Sequence, residues 1–498
     1  MFAFCLKLTA LLIILVYFLF KYTCRNYTYW KKRGVPYVQP APFFGNLFQV
    51  FFFQKQLGIS FAEYYEKFDS PYFGLYVFST PILLIKSPAM IKKILVKDFQ
   101  HFNDRSIASN EQCDVLSSNM LFMAKNPEWK YLRTKMTPVF ANMKNMVPLI
   151  KEVGDNMLYY LNQHLDEKFI DCQDVSVRYT TDVIASCAFG VDARSFYDEN
   201  SPFRLASKRM WSLNLKTGVS QLSYFMAHSL VKLLNLPFFD VEMLDLLRRT
   251  FWVTLEDRKR TEAVRHDVID AMIELENRAS SKEDFKFEGD KVLAQAVQFF
   301  TAGYQSASLT IAFTLYELSL KSEIQNRLRL EMKNTLECNK EIKYSTIQNM
   351  KYLNMVVKET LRKYPPLPFL QRKCVSDYKV PNEDFIIEEG TTVYISSLGL
   401  HHDKKHFPNP ELFDPERFAD KTTENTFSYI PFGKGPRDCI GDRFSLLVVK
   451  YALLRVLTEF SVEATSITPI PICYSLYSFF LSPVAGMPLK FSKINLFT

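Results

Sequence analysis

The polarity pattern opens with an unbroken apolar run: residues 2–20 carry no polar side chain except Lys7 and Thr9. Twenty helical residues rise about 30 Å, the thickness of a bilayer core, so residues 1–20 are predicted to form an N-terminal membrane anchor helix. A cationic cluster from Lys21 to Arg33 follows it, which places the downstream chain on the cytoplasmic side. Neither a basic leader nor a small-residue cleavage site stands out, so a removable secretory signal is disfavoured. The stretch Gly34 to Pro42 holds three prolines, and residues 21–50 read as a basic, proline-rich and stiff linker.

From residue 51 to 498 the helical period prevails, and the pattern predicts one domain. Examples are Met143–His164, Asp267–Arg278, Asp290–Glu317, Glu323–Glu337, Ser345–Tyr364 and a run from Arg443 to Val456. Ser345 and Gln348 have capping-box spacing, and Pro365-Pro366 ends that helix. Short β-like runs fall at Tyr72–Tyr76, Ile82–Ile85, Thr391–Ile395 and near Leu489–Phe491. The expected fold class is mainly α with small β-sheets. No repeat of 20–50 residues suggests a solenoid, and no glycine-rich dinucleotide fingerprint follows a strand.

Composition narrows the function classes. With 48% hydrophobic residues the chain can bury a large core, and 44 Phe among 15% aromatics fit a core with apolar cavities. The net charge is +8, but residues 1–62 hold seven bases and no acid, so the rest is nearly neutral. That excludes a nucleic-acid-binding domain and fits a membrane-proximal basic segment. Nine cysteines without a C-x-x-C pair argue against a disulfide framework or a zinc ribbon. Reduced, mostly buried thiols agree with a body in the cytosol.

The chemistry concentrates in Phe432-Gly433-Lys434-Gly435-Pro436-Arg437-Asp438-Cys439-Ile440-Gly441. A cysteine between glycines, with an arginine two residues before it, suits a thiolate that ligates haem iron. Gly435 and Gly441 let the backbone approach a macrocycle, main-chain N–H groups can point at the sulfur, and Arg437 can pair with a propionate. An isolated cysteine in a glycine-rich turn would read as core; the whole constellation does not.

This stretch resembles the haem-binding signature of the cytochrome P450 monooxygenases, with every specified position filled. The resemblance implies the cytochrome P450 fold, Cys439 as the iron ligand, and haem b (iron protoporphyrin IX) as cofactor, with Phe432 in the signature. Glu359-Thr360-Leu361-Arg362, with Arg417 in Pro415-Glu416-Arg417-Phe418, matches the family's structural Glu-Arg-Arg network. Trp129 and Arg133 match the Trp-x-x-x-Arg that faces a propionate; Arg372 and Arg105 match further propionate arginines. Ala302-Gly303-Tyr304-Gln305-Ser306 is similar to the oxygen-binding helix segment. There Gly303 implies a local distortion, Ser306 stands in for the usual threonine and Gln305 for the usual acid. Ser306 keeps a hydroxyl for proton delivery, whereas Gln305 can orient water but not supply a proton as an acid.

The same resemblance implies what surrounds that centre. Ser106–Asn126 and Tyr224–Phe239 would cover the haem; Phe299, Phe300, Ala302, Leu367–Leu370 and Ser478–Leu481 would wall an apolar substrate site. The implied activity is insertion of one atom of O2 into lipophilic small molecules, xenobiotic or endogenous. Electrons would come from NADPH through a flavoprotein reductase, with cytochrome b5 as a second donor. Lys130, Lys135 and Lys434 are candidate docking cations. Phe43-Phe44-Gly45-Asn46, Phe102–Arg105 and Ala302-Gly303-Tyr304 look closest to the insect microsomal detoxification branch, implying the endoplasmic reticulum membrane. Two other readings stay open: a haem-thiolate enzyme that rearranges hydroperoxides, motivated by Gln305-Ser306, and a haem-containing binder of apolar ligands without catalysis.

Overall fold

The apolar N-terminal run forms helix α1 (Phe2–Thr23) in a computed structural model that describes residues 2–141, 143–278, 287–339, 341–420 and 422–495. Its stretch Phe4–Thr23 has a mean hydropathy of 2.2 and buries none of its residues against the body. Such an outward-facing apolar cylinder is long enough to cross a membrane. The helix continues three residues past the expected boundary at residue 20, and the Phe20 ring meets Phe43 at 5.9 Å.

The segment expected to be a stiff linker docks on the body. Trp30 is fully buried and donates its indole N–H to Leu75 O at 3.0 Å. Gly74 has to be glycine, because a Cβ there would lie 2.4 Å from the Trp30 ring. Gly74 N donates to Pro36 O at 2.7 Å and Val38 N to Gly74 O at 3.1 Å, so the proline stretch pairs along a strand edge. Asn46 completes the docking by accepting Tyr76 N at 2.7 Å.

Five further helices position the site: α2 (Glu128–Ala141), α3 (Cys172–Phe189), α4 (Asp290–Leu320), α5 (Lys351–Lys363) and α6 (Asp442–Glu459). Helix α4 is buried on nearly every face, as expected of a 31-residue helix that is apolar all round. It packs against α3, α5 and α6. Among the described residues there are nine strands: β1 (Tyr72–Val77), β2 (Thr80–Ile85), β3 (Ile170–Asp171), β4 (Leu370–Lys373), β5 (Tyr378–Lys379), β6 (Ile386–Ile387), β7 (Thr392–Ile395), β8 (Phe460–Ala464) and β9 (Pro488–Lys493). They form a four-stranded sheet β1-β2-β7-β4, a three-stranded sheet β3-β9-β8 and the pair β5-β6. Arg372 sits on β4, opposite Val393 of β7.

Three expected elements differ in ways tertiary contacts explain. Ser345–Tyr364 is two helices, Tyr344–Asn349 and α5, broken at Met350. The break is stabilised from outside: the Glu331 carboxylate accepts Tyr352 N at 2.7 Å and Leu353 N at 2.9 Å, capping α5. The first of these helices begins after Lys343 with Thr346 as the reciprocal partner, so Ser345 lies in the first turn rather than capping it. Met143–His164 resolves into a short tight turn, Met143–Met146, and a helix Val147–Gln163 with Pro148 in its first turn, where proline is well tolerated. Gly303 produces no distortion: α4 is continuous, and a Cβ at Gly303 would lie 2.8 Å from Ile184 Cδ1, so this glycine serves the close crossing of α3.

Beneath the site lies a buried ionic network. Arg362 donates Nε to Glu359 Oε2 at 2.7 Å and Nη2 to Oε1 at 2.8 Å, both side chains being fully buried. Arg417 pairs with the same carboxylate at 3.4 Å, and Asp414 N donates to it at 2.9 Å. A solvated pair of this spacing would contribute little; here removing one partner would strand a charge without water, at a cost of about 3–5 kcal/mol. Arg362 Nη1 also donates to His401 O at 2.9 Å, and His401 Nε2 accepts Ile430 N at 3.0 Å. The network is thereby tied to the chain two residues before Phe432.

Burial pushes His401 down to about 3, mainly by desolvation. Unfolded, the imidazole would bind a proton near pH 6.5, so below that the unfolded state takes up a proton that the folded state refuses. Its stabilising contribution is present above pH 6.5 and is lost as pH falls toward 3. Between pH 7 and pH 5 the loss should be about 2 kcal/mol for this residue. His401→Asn retains an acceptor for Ile430 N and should flatten the pH dependence of urea unfolding by that amount; an unaltered slope would refute the assignment.

Candidate active site

The cysteine loop is shaped by two residues in the left-handed region. Gly433 has φ 73° and Gly435 φ 82°, and a Cβ at Gly435 would lie 1.9 Å from Leu95 O, so only glycine fits there. The turn closes with Cys439 N donating to Phe432 O at 2.9 Å, and Phe432 itself packs on the core. Helix α6 begins just beyond, at Asp442. Gly441 offers its N–H to the Cys439 sulfur, as the loop reading expected. Desolvation nonetheless dominates and pushes the thiol up to about 11, although the side chain remains accessible. Such a sulfur is a poor free thiolate and a good metal ligand, since a coordinating metal removes the proton outright.

Around that sulfur four guanidiniums converge. Desolvation depresses the protonation of Arg105, Arg372 and Arg437, Arg372 to about 10 and Arg437 to about 9, and the neighbouring guanidiniums lower Arg105 and Arg437 further. Arg437 donates to Ala124 O at 3.0 Å and to Asp104 Oδ1 at 3.2 Å, and its guanidinium lies 4.2 Å over the Trp129 ring. Arg133 donates to Asp438 O at 2.8 Å and to Asp438 Oδ1 at 2.7 Å. Trp129 and Arg133, four residues apart on α2, thus reach adjacent residues of the cysteine loop, with Arg133 spent on Asp438 rather than left free. Arg105 donates to Phe122 O at 2.9 Å and stacks 4.2 Å over the Phe122 ring.

The arithmetic leaves two positive charges over. Four arginines meet two carboxylates, Asp104 and Asp438. Arg437 Nη1 and Arg372 Nε are buried with no partner at all. Unpartnered buried guanidinium nitrogens are costly unless an anion completes them. A dianion beside a thiol that can ligate iron is what a haem with two propionates supplies, so this donor set fits that group. Arg105, Arg372 and Arg437 would hold the propionates and Cys439 the iron.

Above the loop runs α4. The Phe140 ring lies 5.2 Å from Phe299 of α4 and would be 3.5 Å from a Cβ on Gly441, so a single ring separates the helix from the cysteine loop. Ala302, one turn on, is exposed, and Ser306 is half-buried. Ser306 Oγ donates to Ala302 O at 2.9 Å. Gln305 turns away and donates to Ser482 Oγ at 3.3 Å. Of the expected wall on this helix only Ala302 is open: Phe299 packs on Phe140 and Phe444, and Phe300 on Phe189 and Phe203. Asp104 and Asp438 were not singled out in the sequence, although each sits beside an arginine that was.

Comparison with known proteins agrees with this geometry. The family model described as Cytochrome P450 matches residues 35–488. Cytochrome P450 6k1 of Blattella germanica is 40% identical, with 98% of this chain and 97% of the relative covered. Cytochrome P450 6j1 of the same species is 39% identical, covering 96% of each chain. Probable cytochrome P450 6g2 of Drosophila melanogaster is 36% identical over 89% of this chain and 90% of its own. The chain belongs to the cytochrome P450 family and is a haem-thiolate monooxygenase.

Cys439→Ala should abolish the thiolate Soret band of the reduced carbon monoxide complex. Cys374→Ala and Cys473→Ala should retain it, since Cys374 donates to Ser376 O at 3.0 Å elsewhere and Cys473 is exposed. A Cys439 variant that keeps the band would displace the ligand to another residue.

Proposed function

We propose that this monooxygenase is a membrane-bound enzyme of the endoplasmic reticulum that oxidises lipophilic small molecules on the cytoplasmic side. Haem b is the cofactor; NADPH electrons arrive through a flavoprotein reductase, with cytochrome b5 as a second donor. Residues 1–20 anchor, 21–50 connect and 51–498 catalyse. The observation that carries this reading is the thiol among arginines beneath the open face of α4. When bound, the haem supplies the activation of O2 that inserts one oxygen atom and releases the other as water.

Two features support the substrate class and the membrane. The covering region is densely aromatic: Trp211 lies 4.9 Å from Phe480, Phe238 4.7 Å from Phe239, and Phe225 5.0 Å from Phe479. Beside it Leu233, Leu234 and Val241 are 75%, 58% and 55% exposed, an apolar surface that a bilayer would cover. For electron delivery, Lys130 is exposed on α2, and Lys135 on the same helix and Lys434 in the cysteine loop are partly exposed, cations that an acidic reductase face would meet. Reconstitution with reductase and NADPH tests the reading: lipophilic substrates should be oxygenated, and a protein that never forms product with reductase present would contradict it.

The proton relay is the part that departs from the family pattern. Ser306 offers the only aliphatic hydroxyl of the motif, the Tyr304 phenol being spent on Ser207 O at 2.6 Å, and Gln305 an amide already engaged by Ser482. Serine lacks the methyl that restricts threonine in χ1, so its hydroxyl orders water less well. Part of the NADPH consumed should therefore appear as hydrogen peroxide. Ser306→Ala should lower product formed per NADPH, and Ser306→Thr combined with Gln305→Glu should raise it. Unchanged coupling and peroxide release in Ser306→Ala would remove Ser306 from the relay. It would also favour the second reading, a hydroperoxide rearrangement that needs neither reductase nor relay.

A further inference from the structure

Residues 119–124 make a turn between the arginine cluster and α4. Its inner groups satisfy one another: Met123 N and Ala124 N both donate to Met120 O at 2.9 Å, and Met120 N donates to Ser117 O at 3.2 Å. Five of its outer groups are taken by side chains. Gln295 of α4 donates Nε2 to Asn119 O at 2.8 Å and accepts Leu121 N on Oε1 at 3.2 Å. Gln298 of α4 accepts Phe122 N on Oε1 at 2.7 Å. At the other end Phe122 O accepts Arg105 and Ala124 O accepts Arg437, the two arginines beside the cysteine loop.

Positions 295, 298, 302 and 306 are spaced by three, four and four residues, so they share one face of α4. The face that carries Ala302 and Ser306 therefore also carries the two glutamines that hold the turn. A primary amide bonds the main chain through both ends, which fixes register as well as distance. Gln295 is itself buried, so its bonds do not compete with bulk water.

We propose that Gln295 and Gln298 are positioning residues of the oxidation site: they clamp the main chain of residues 119–122 against the Ala302–Ser306 face of α4 and so select which molecules fit over that face. The proposal rests on the functional reading above for what the clamp serves. The clamp does its work through the turn, touching neither haem nor substrate. Gln298→Leu leaves Phe122 N–H without an acceptor and frees the middle of the turn. Gln295→Leu frees Asn119 O and Leu121 N together. Gln298→Glu keeps an acceptor at the same place.

The experiment uses the full-length, haem-loaded protein and needs no turnover. Amide hydrogen exchange at Leu121 and Phe122 should be slow, and faster by about tenfold or more in Gln295→Leu and Gln298→Leu respectively, with Gln298→Glu restoring it. The ratio of spectral dissociation constants for two phenylimidazole isomers, which differ in the shape presented above the haem, should change about threefold or more in Gln298→Leu and revert in Gln298→Glu. Unaltered exchange would overturn the clamp. Faster exchange with an unaltered ratio would overturn its role in selection. Absence of NADPH-supported product in the wild-type protein would count against the functional reading and leave both results interpretable.

Discussion

Everything at the centre of this molecule depends on the repulsion among Arg105, Arg133, Arg372 and Arg437. Like charges this close in a desolvated place oppose folding unless anions compensate. Asp438 answers Arg133 and Asp104 answers Arg437, and buried guanidinium nitrogens remain unpartnered on Arg372 and Arg437. Such a site would hold a dianion, as the two propionates of a haem would supply. The cysteine loop supplies the other requirement, a sulfur whose pKa desolvation raises and which would ligate the iron.

The surroundings make that arrangement affordable and rigid. The Glu359–Arg362–Arg417 network fixes the chain from below, and His401 joins it to the segment leading into Phe432. On the other side, Arg105 and Arg437 bond the 119–124 turn while Gln295 and Gln298 bond the same turn from α4. Two arginines of the cluster and the helix that carries Ala302 and Ser306 therefore share one short piece of main chain. Positioning at the two is mechanically linked.

Long, periodic elements were legible in the sequence because their burial pattern is local: α4, the helix Ser322–Cys338 and strands β1, β2 and β7 fall where the periods put them. What was not legible depends on residues far apart in the chain. Glu331 splits the helix expected over Ser345–Tyr364, Ile184 explains Gly303 without any distortion, and Gly74 with Leu75 draws Trp30 and the proline segment onto the body. The site divides in the same way. Cys439 and its neighbours form a contiguous motif that can be read directly, and the arginines follow from it by resemblance. The carboxylates that answer two of those arginines and the glutamines that hold the turn do not, because each acts on main chain or a partner that only folding brings near. Phe299 and Phe300 show the converse: an aromatic pair beside a motif reads as a cavity wall but is packed core.

The central claim is that the arginine cluster is matched to a dianionic haem edge. The most direct test is the affinity of the apoprotein for haem against haem dimethyl ester, which has the same macrocycle and iron without the two negative charges. Burial of unpaired guanidiniums costs on the order of 1–3 kcal/mol each or more, so the ester should bind at least about tenfold more weakly. Arg372→Leu should narrow that difference. Equal affinity for the two would contradict the account.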